Sequence, residues 1–177
     1  FRTPLNTGTP ATAPSPNASA GSPAPSSGVA ETAGAPPALS LVPASGDRFG
    51  LAVHYQRARD FDRALGEYLA LLKENDERAD VHNNVGLLYQ QLGDDGRATS
   101  HLRRAVSLAP RYVKAHNNLG VALLRAGDSE GAASEFRVAL ALEPRNVESL
   151  VNLALASRAL GRPADARDLL RQALAID

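Results

Sequence analysis

The chain has 177 residues, which suits one domain or a domain with a tail, and its 19 Lys and Arg balance 19 Asp and Glu. A chain without net charge carries no global field to recruit nucleic acid or an acidic membrane surface, so nucleic acid is set aside as a partner. Cysteine is absent, which excludes disulfides, thiolate metal sites and cysteine nucleophiles.

No apolar run approaches the roughly 18–20 residues of a bilayer-spanning helix, so direct membrane insertion is not expected. The chain opens at Phe1 and contains no Met, and is expected to be a fragment or a processed form. Only Lys73 and Lys114 are lysines, and that arginine bias points to a GC-rich, bacterial source.

Residues 1–44 hold nine of the twelve prolines, interleaved with Ala, Ser, Thr and Gly, and only Arg2 and Glu31 are charged. Such a segment has too few large apolar groups to offset its ordering entropy, and its prolines block both helix and sheet. It reads as a disordered, partly extended linker without the basic anchor of a proline-rich ligand.

From about Ser45 the composition changes, and 36 of the 38 charged residues follow position 44. Leu51, Tyr55 and Ala58, then Ala64, Tyr68 and Leu71 or Leu72, recur at helical spacing. Asp60 separates the two runs and is a natural cap for the second. Residues 45–78 are therefore a first, degenerate helix pair.

The next stretches repeat one another. Val113–Asn146 aligns with the segment beginning at Ala79 and the one beginning at Val147, each at an offset of 34 residues. A fixed period of this length marks stacked two-helix units. Gly93-Asp94 and Gly127-Asp128 put a flexible residue before an acidic helix start, and Gly161-Arg162-Pro163 puts proline in a first turn. Pro110 and Pro144 end the second helices of their units. The domain is expected to span 45–177 in units 45–78, 79–112, 113–146 and 147–177.

Leu119, Gly120, Ala132, Phe136, Ala139 and Pro144 form a pattern that resembles the tetratricopeptide repeat. Gly86, Tyr89, Ala98, Ala105 and Pro110 match it in the preceding unit. Leu153, Ala154, Ala166 and Ala173 match it in the last, and Tyr55, Ala64 and Tyr68 in the first. Glycine inside a helix costs roughly 1 kcal/mol against alanine, so Gly86 and Gly120 are expected where two helices approach closely. Ala64, Ala98, Ala132 and Ala166 admit the facing helix, and Tyr68, Leu102, Phe136 and Leu170 supply bulk one turn later. The opening aromatic of the pattern is replaced by Arg48, His82, His116 and Leu150. Leu169, Leu170, Leu174 and Ile176 leave the final helix without a polar outer face, where a continuing chain or a second copy could pack.

The resemblance implies an all-α, right-handed α-solenoid of about four helix-turn-helix units, with the first helix of each unit lining a concave groove. Asn84, Asn118 and Asn152 recur 34 apart on that helix and would form a ladder. Their amides offer an acceptor and two donors to a ligand's peptide groups, as in the similar ladder on the repeat arm of O-linked N-acetylglucosamine transferases. Other expected groove residues are Asn83, Leu87, Gln90 and Gln91, then Lys114, Asn117, Val121, Leu124 and Arg125, then Glu148, Val151, Leu155 and Arg158. This lining suits an extended, partly polar peptide, with Arg125 and Arg158 each able to pair an acidic side chain. A carboxylate clamp of the chaperone-binding subclass is set aside, because Phe49 and Val53, or Asn83 and Leu87, stand where its first Lys and Asn belong.

His82 and His116 lie one repeat apart and lack an i+4 partner ligand, so packing is expected of them and not metal. His54 and His101 read as ordinary surface residues. No nucleophile elbow, zinc-protease helix, phosphate loop or dinucleotide turn occurs, and no cofactor is expected. The leading reading is a non-catalytic module for a protein or peptide ligand. The others are a substrate-recruiting arm of a larger enzyme, such as a glycosyltransferase, and a self-assembly domain using the last helix. The compartment stays open between the cytoplasm and a tether at the bacterial envelope.

Overall fold

A computed structural model describes residues 47–176. The linker expected over residues 1–44 lies outside them. The described residues form eight helices and no strand. They are α1 (Arg48–Arg57), α2 (Phe61–Glu74), α3 (Ala79–Gln91), α4 (Asp95–Leu108), α5 (Val113–Arg125), α6 (Ser129–Leu142), α7 (Val147–Ala159) and α8 (Pro163–Leu174).

Local chemistry sets the boundaries. Each helix leaves four amide N–H groups unpaired at its start, and a carboxylate there satisfies one while opposing the helix dipole. Asp60, Asp94 and Asp128 cap α2, α4 and α6 by accepting from the amides of Arg63, Arg97 and Gly131 at 3.3, 2.9 and 2.8 Å. Pro163 occupies the first turn of α8, where a missing N–H costs nothing. Pro110 and Pro144 follow the last turns of α4 and α6.

The turn inside each helix pair needs one left-handed residue. Gly93, Gly127 and Gly161 supply it with φ of 80°, 85° and 72°. The equivalent residue of the first pair is Arg59, at φ 61°, where a Cβ crowds the backbone.

The paired helices touch closely where glycine was expected. A Cβ on Gly86 would sit 2.6 Å from Leu102 Cγ and 3.2 Å from the Ala98 carbonyl, and one on Gly120 would sit 2.5 Å from Phe136 Cε1. Those are overlaps, so the glycines are required by the crossing. Ala98 and Ala132 are fully buried opposite them, as Ala64 is in the first repeat, and Tyr68, Leu102 and Phe136 fill the space beyond. Leu170 breaks the series. It is 43% exposed on α8, the last helix among the described residues.

Neighbours follow chain order: each helix packs on the next, from α1 on α2 through α7 on α8. In addition α3 touches α5 and α5 touches α7, whereas the second helices of successive pairs make no comparable contact. The first helices α3, α5 and α7 therefore converge on the inner side of the stack. Its buried apolar residues form two clusters, one from Ala52 to Ala98 and one from Leu102 to Ala156.

Arg59→Gly should raise stability by roughly 0.5–1 kcal/mol, because relief of the left-handed penalty outweighs both the greater freedom of glycine when unfolded and the lost contact with the Phe61 ring. A higher Tm for the variant is the expected result, and a lower one contradicts this reading of the turn.

Candidate functional site

The inner face is carried by α3, α5 and α7, and five of the six asparagines on or capping these helices fall into two kinds there. Asn84, Asn118 and Asn152 are half-buried. Asn83 and Asn117 are 3% and 2% exposed, locked between helices. The amide of Asn118 donates to Asn83 Oδ1 at 2.7 Å, linking α5 to α3. Asn117 Oδ1 accepts from the Ser149 hydroxyl at 2.8 Å, linking α5 to α7, and Asn146, the sixth, caps α7 by accepting from the amide of Ser149 at 2.9 Å.

The buried pair therefore fixes the first helices to one another, with Asn118 as a partner of Asn83, and the half-buried set lies at the edge of the inner face. The cause is geometric. Residues adjacent in a helix point about 100° apart, so Asn83 faces the neighbouring repeat while Asn84 turns toward the inner face.

A cavity of about 360 Å³ is lined by Asn83, Asn84, Leu87, Tyr112, Lys114, Asn117, Asn118 and Glu148. A second, of about 530 Å³, is lined by Leu124, Gly127, Ser129, Leu155, Arg158 and Ala159. Of the predicted residues, Asn152, Val121, Val151 and Arg125 line neither of these, and Gln91 lines a separate hollow with Gln56, Arg59 and Phe61. Val121 is half-buried on α5. Arg125 is exposed and paired with Asp95 of α4 at 3.3 Å. Gln90 is buried, and its amide nitrogen has no hydrogen-bond partner among the described residues.

Two groups at this end hold shifted protons. Burial pushes the Tyr68 phenol up to about 12, with a hydrogen bond to Asn84 opposing. Burial also raises the Asp80 carboxyl, but the hydrogen bond and charge of Arg78, 2.7 Å away, outweigh it and hold the group below its ordinary value.

The histidines depart in part from the sequence reading. His82 and His116 are buried, and each points Nε2 at a carbonyl 3.0 Å away, that of Asp76 and that of Pro110. His101, expected as an ordinary surface residue, is half-buried. Its ring stacks on Tyr89 with centroids 5.6 Å apart, and its Nδ1 lies 3.0 Å from Nδ1 of His82. The signal for this was present: His101 and Glu135 occupy one repeat position, each 19 residues after a buried histidine. Among the described residues no group of three or more His, Cys, Asp or Glu could hold a metal ion. Nor is any described helix long and apolar enough to cross a membrane.

Stacked helix pairs with an amide-lined inner face define a helical-repeat scaffold, a class of protein-interaction module. The tetratricopeptide repeat family model matches residues 49–113, 86–146 and 118–177, so the chain belongs to the tetratricopeptide repeat family. Similar solved structures include MamA at 18% identity and TM-score 0.69, the match covering 73% of this chain and 75% of that one. YrrB, a tetratricopeptide repeat protein with an unusual peptide-binding site, is 21% identical with TM-score 0.67, covering 73% and 67%. BtubC from P. vanneervenii is 25% identical with TM-score 0.68, covering 74% and 62%. No curated protein gives a significant match.

The two kinds of asparagine should separate in stability. Asn83→Ala leaves the Asn118 amide without its partner and should cost about 1–2 kcal/mol, whereas Asn84→Ala and Asn152→Ala should stay within about 0.5 kcal/mol of the parent. Chemical denaturation of the three variants checks this, and equal losses at all three would contradict the division.

Proposed function

We propose that the inner face binds an extended peptide segment, with Asn84, Asn118 and Asn152 hydrogen-bonding its backbone. Three half-buried amides, one in each of the last three repeats, on first helices that touch one another carry this reading, and Asn118 offers a ligand what its bond to Asn83 leaves over. A peptide in extended form presents a C=O and an N–H at each residue, and a carboxamide can meet both. Asn83 and Asn117 hold the helices in register beneath the ladder. Leu87, Val121 and Leu155 supply aliphatic contact, and Arg158, exposed beside the second cavity, pairs an acidic ligand side chain. Arg125 can do so only by leaving Asp95. The peptide-binding site named for YrrB, a protein of the same fold, adds support.

Self-association is the second reading. Leu174 is 79% exposed on α8, which has no helix beyond it among the described residues.

A peptide-library screen with the whole chain, repeated with Asn84, Asn118 and Asn152 all changed to Ala, tests the proposal. Each lost hydrogen bond is worth about 0.5–1.5 kcal/mol, so the folded triple variant should bind selected peptides at least ~10-fold more weakly. Equal affinity would remove the ladder from the site. Sedimentation that shifts with concentration, together with no peptide hits, would favour self-association.

A further inference from the structure

One pair of positions, 19 residues apart, recurs in all four repeats with four different chemistries, and in the first three it joins the two helices. In the first, Arg48 Nη1 donates to Glu67 Oε2 at 3.3 Å. In the second, Nδ1 of His82 faces Nδ1 of His101 at 3.0 Å. In the third, His116 Nδ1 donates to Glu135 Oε2 at 2.7 Å. In the fourth the positions hold Leu150 and Leu169.

The second pair is unlike the others in its protons. His82 Nε2 faces two acceptors of Asp76, the carbonyl at 3.0 Å and Oδ1 at 3.3 Å, so it carries a hydrogen. Nδ1 of neutral His82 is then a bare acceptor, and His101 must donate to it from its own Nδ1. One extra proton leaves a donor facing an acceptor whichever ring carries it. A second proton sets two N–H groups, each on a cation, against one another at 3.0 Å. The third repeat avoids this conflict, because a charged His116 finds acceptors at both nitrogens, Glu135 and the Pro110 carbonyl.

We propose that the His82–His101 contact is an acid-sensitive latch that holds α3 on α4 at neutral pH and releases it when both rings are charged. The charged and titratable groups around it offset the added charge only in part. Asp76, from the turn before α3, lies on the far side of His82 and is itself shared with Arg104 of α4 at 3.5 Å. Tyr89 of α3 stacks on His101 and carries the Arg97 guanidinium of α4 over its ring. The other helices against α3, namely α2 and α5, give neither ring a hydrogen bond or ion pair among the described residues.

Burial first, then the neighbouring His82, hold the His101 pKa below its ordinary value, with Asp76 opposing. The direction follows from that. A group that binds its proton more weakly when folded gives stability that is complete above the unfolded value, about 6.5 for histidine, and is lost as pH falls below it. One such proton raises the opening constant by up to about tenfold per pH unit across that window.

Amide hydrogen exchange on the whole chain at pH 7.5 and 5.0, corrected for intrinsic rates, tests the latch in the parent protein, His101→Gln and His101→Glu. In the parent, the slowest amides of α3 and α4 should lose severalfold more protection at pH 5.0 than those of α5 and α6, with a ceiling of about tenfold per pH unit below about 6.5. His101→Gln keeps a donor but cannot titrate, and His101→Glu copies the third repeat, so both should abolish the difference. A parallel response of the two repeats in the parent overturns the proposal. So does a difference that persists in either folded variant. Peptide binding plays no part in this outcome.

Discussion

The structure depends on how closely the two helices of a repeat can approach. Gly86 and Gly120 leave no room for a methyl over Leu102 and Phe136, and the alanines opposite them are fully buried. That separation lets each second helix fill the groove of its partner with one large side chain. It also fixes where the first helix's remaining faces point. One face then meets the neighbouring repeat, and another is left open on the inner side of the stack. The inner face is thus a consequence of this close crossing, made at Gly86 and Gly120 and at the equivalent Ala52 and Ala154.

Polar chemistry acts at a second level, between repeats. Asn83 and Asn117 are nearly inaccessible, and such groups destabilise a core unless they are paired. Here each finds its partner on the next first helix, Asn118 or Ser149. The same residue type one position later remains half-buried on the inner face. In each pair the first member thus serves cohesion and the second lies at the inner face, where Asn118 is also the partner of Asn83. The second and third repeats carry the whole pair, and in the fourth Val151 and Asn152 keep only the outer member. The stack changes character toward α8 accordingly, with Leu170 and Leu174 uncovered.

Much of the fold was legible because it is encoded locally. Period, caps, helix-ending prolines and the crossing glycines each rest on residues within one repeat, and one repeat checks the next. What could not be read depends on partners roughly one repeat away. Asn83 and Asn84 look alike in sequence, and only the position of Asn118 separates them. Arg125 looked free until Asp95 of the preceding repeat was placed beside it. His101 was missed for another reason: its partner lies within its own repeat, but a pattern that asks for apolar matches passes over a histidine facing a histidine. Arg59 was likewise hidden, since a left-handed arginine carries no sequence signal apart from the glycines at equivalent positions.

The central claim is that the inner face of α3, α5 and α7 is where a partner sits. Side-chain amide resonances of an isotopically labelled chain, followed while a library-selected peptide is added, test it most directly. The account predicts that the carboxamide signals of Asn84, Asn118 and Asn152 move with the peptide while those of Asn83 and Asn117 shift far less. Shifts confined to the methyl groups of Leu170 and Leu174 on α8, with the inner amides unmoved, would contradict it.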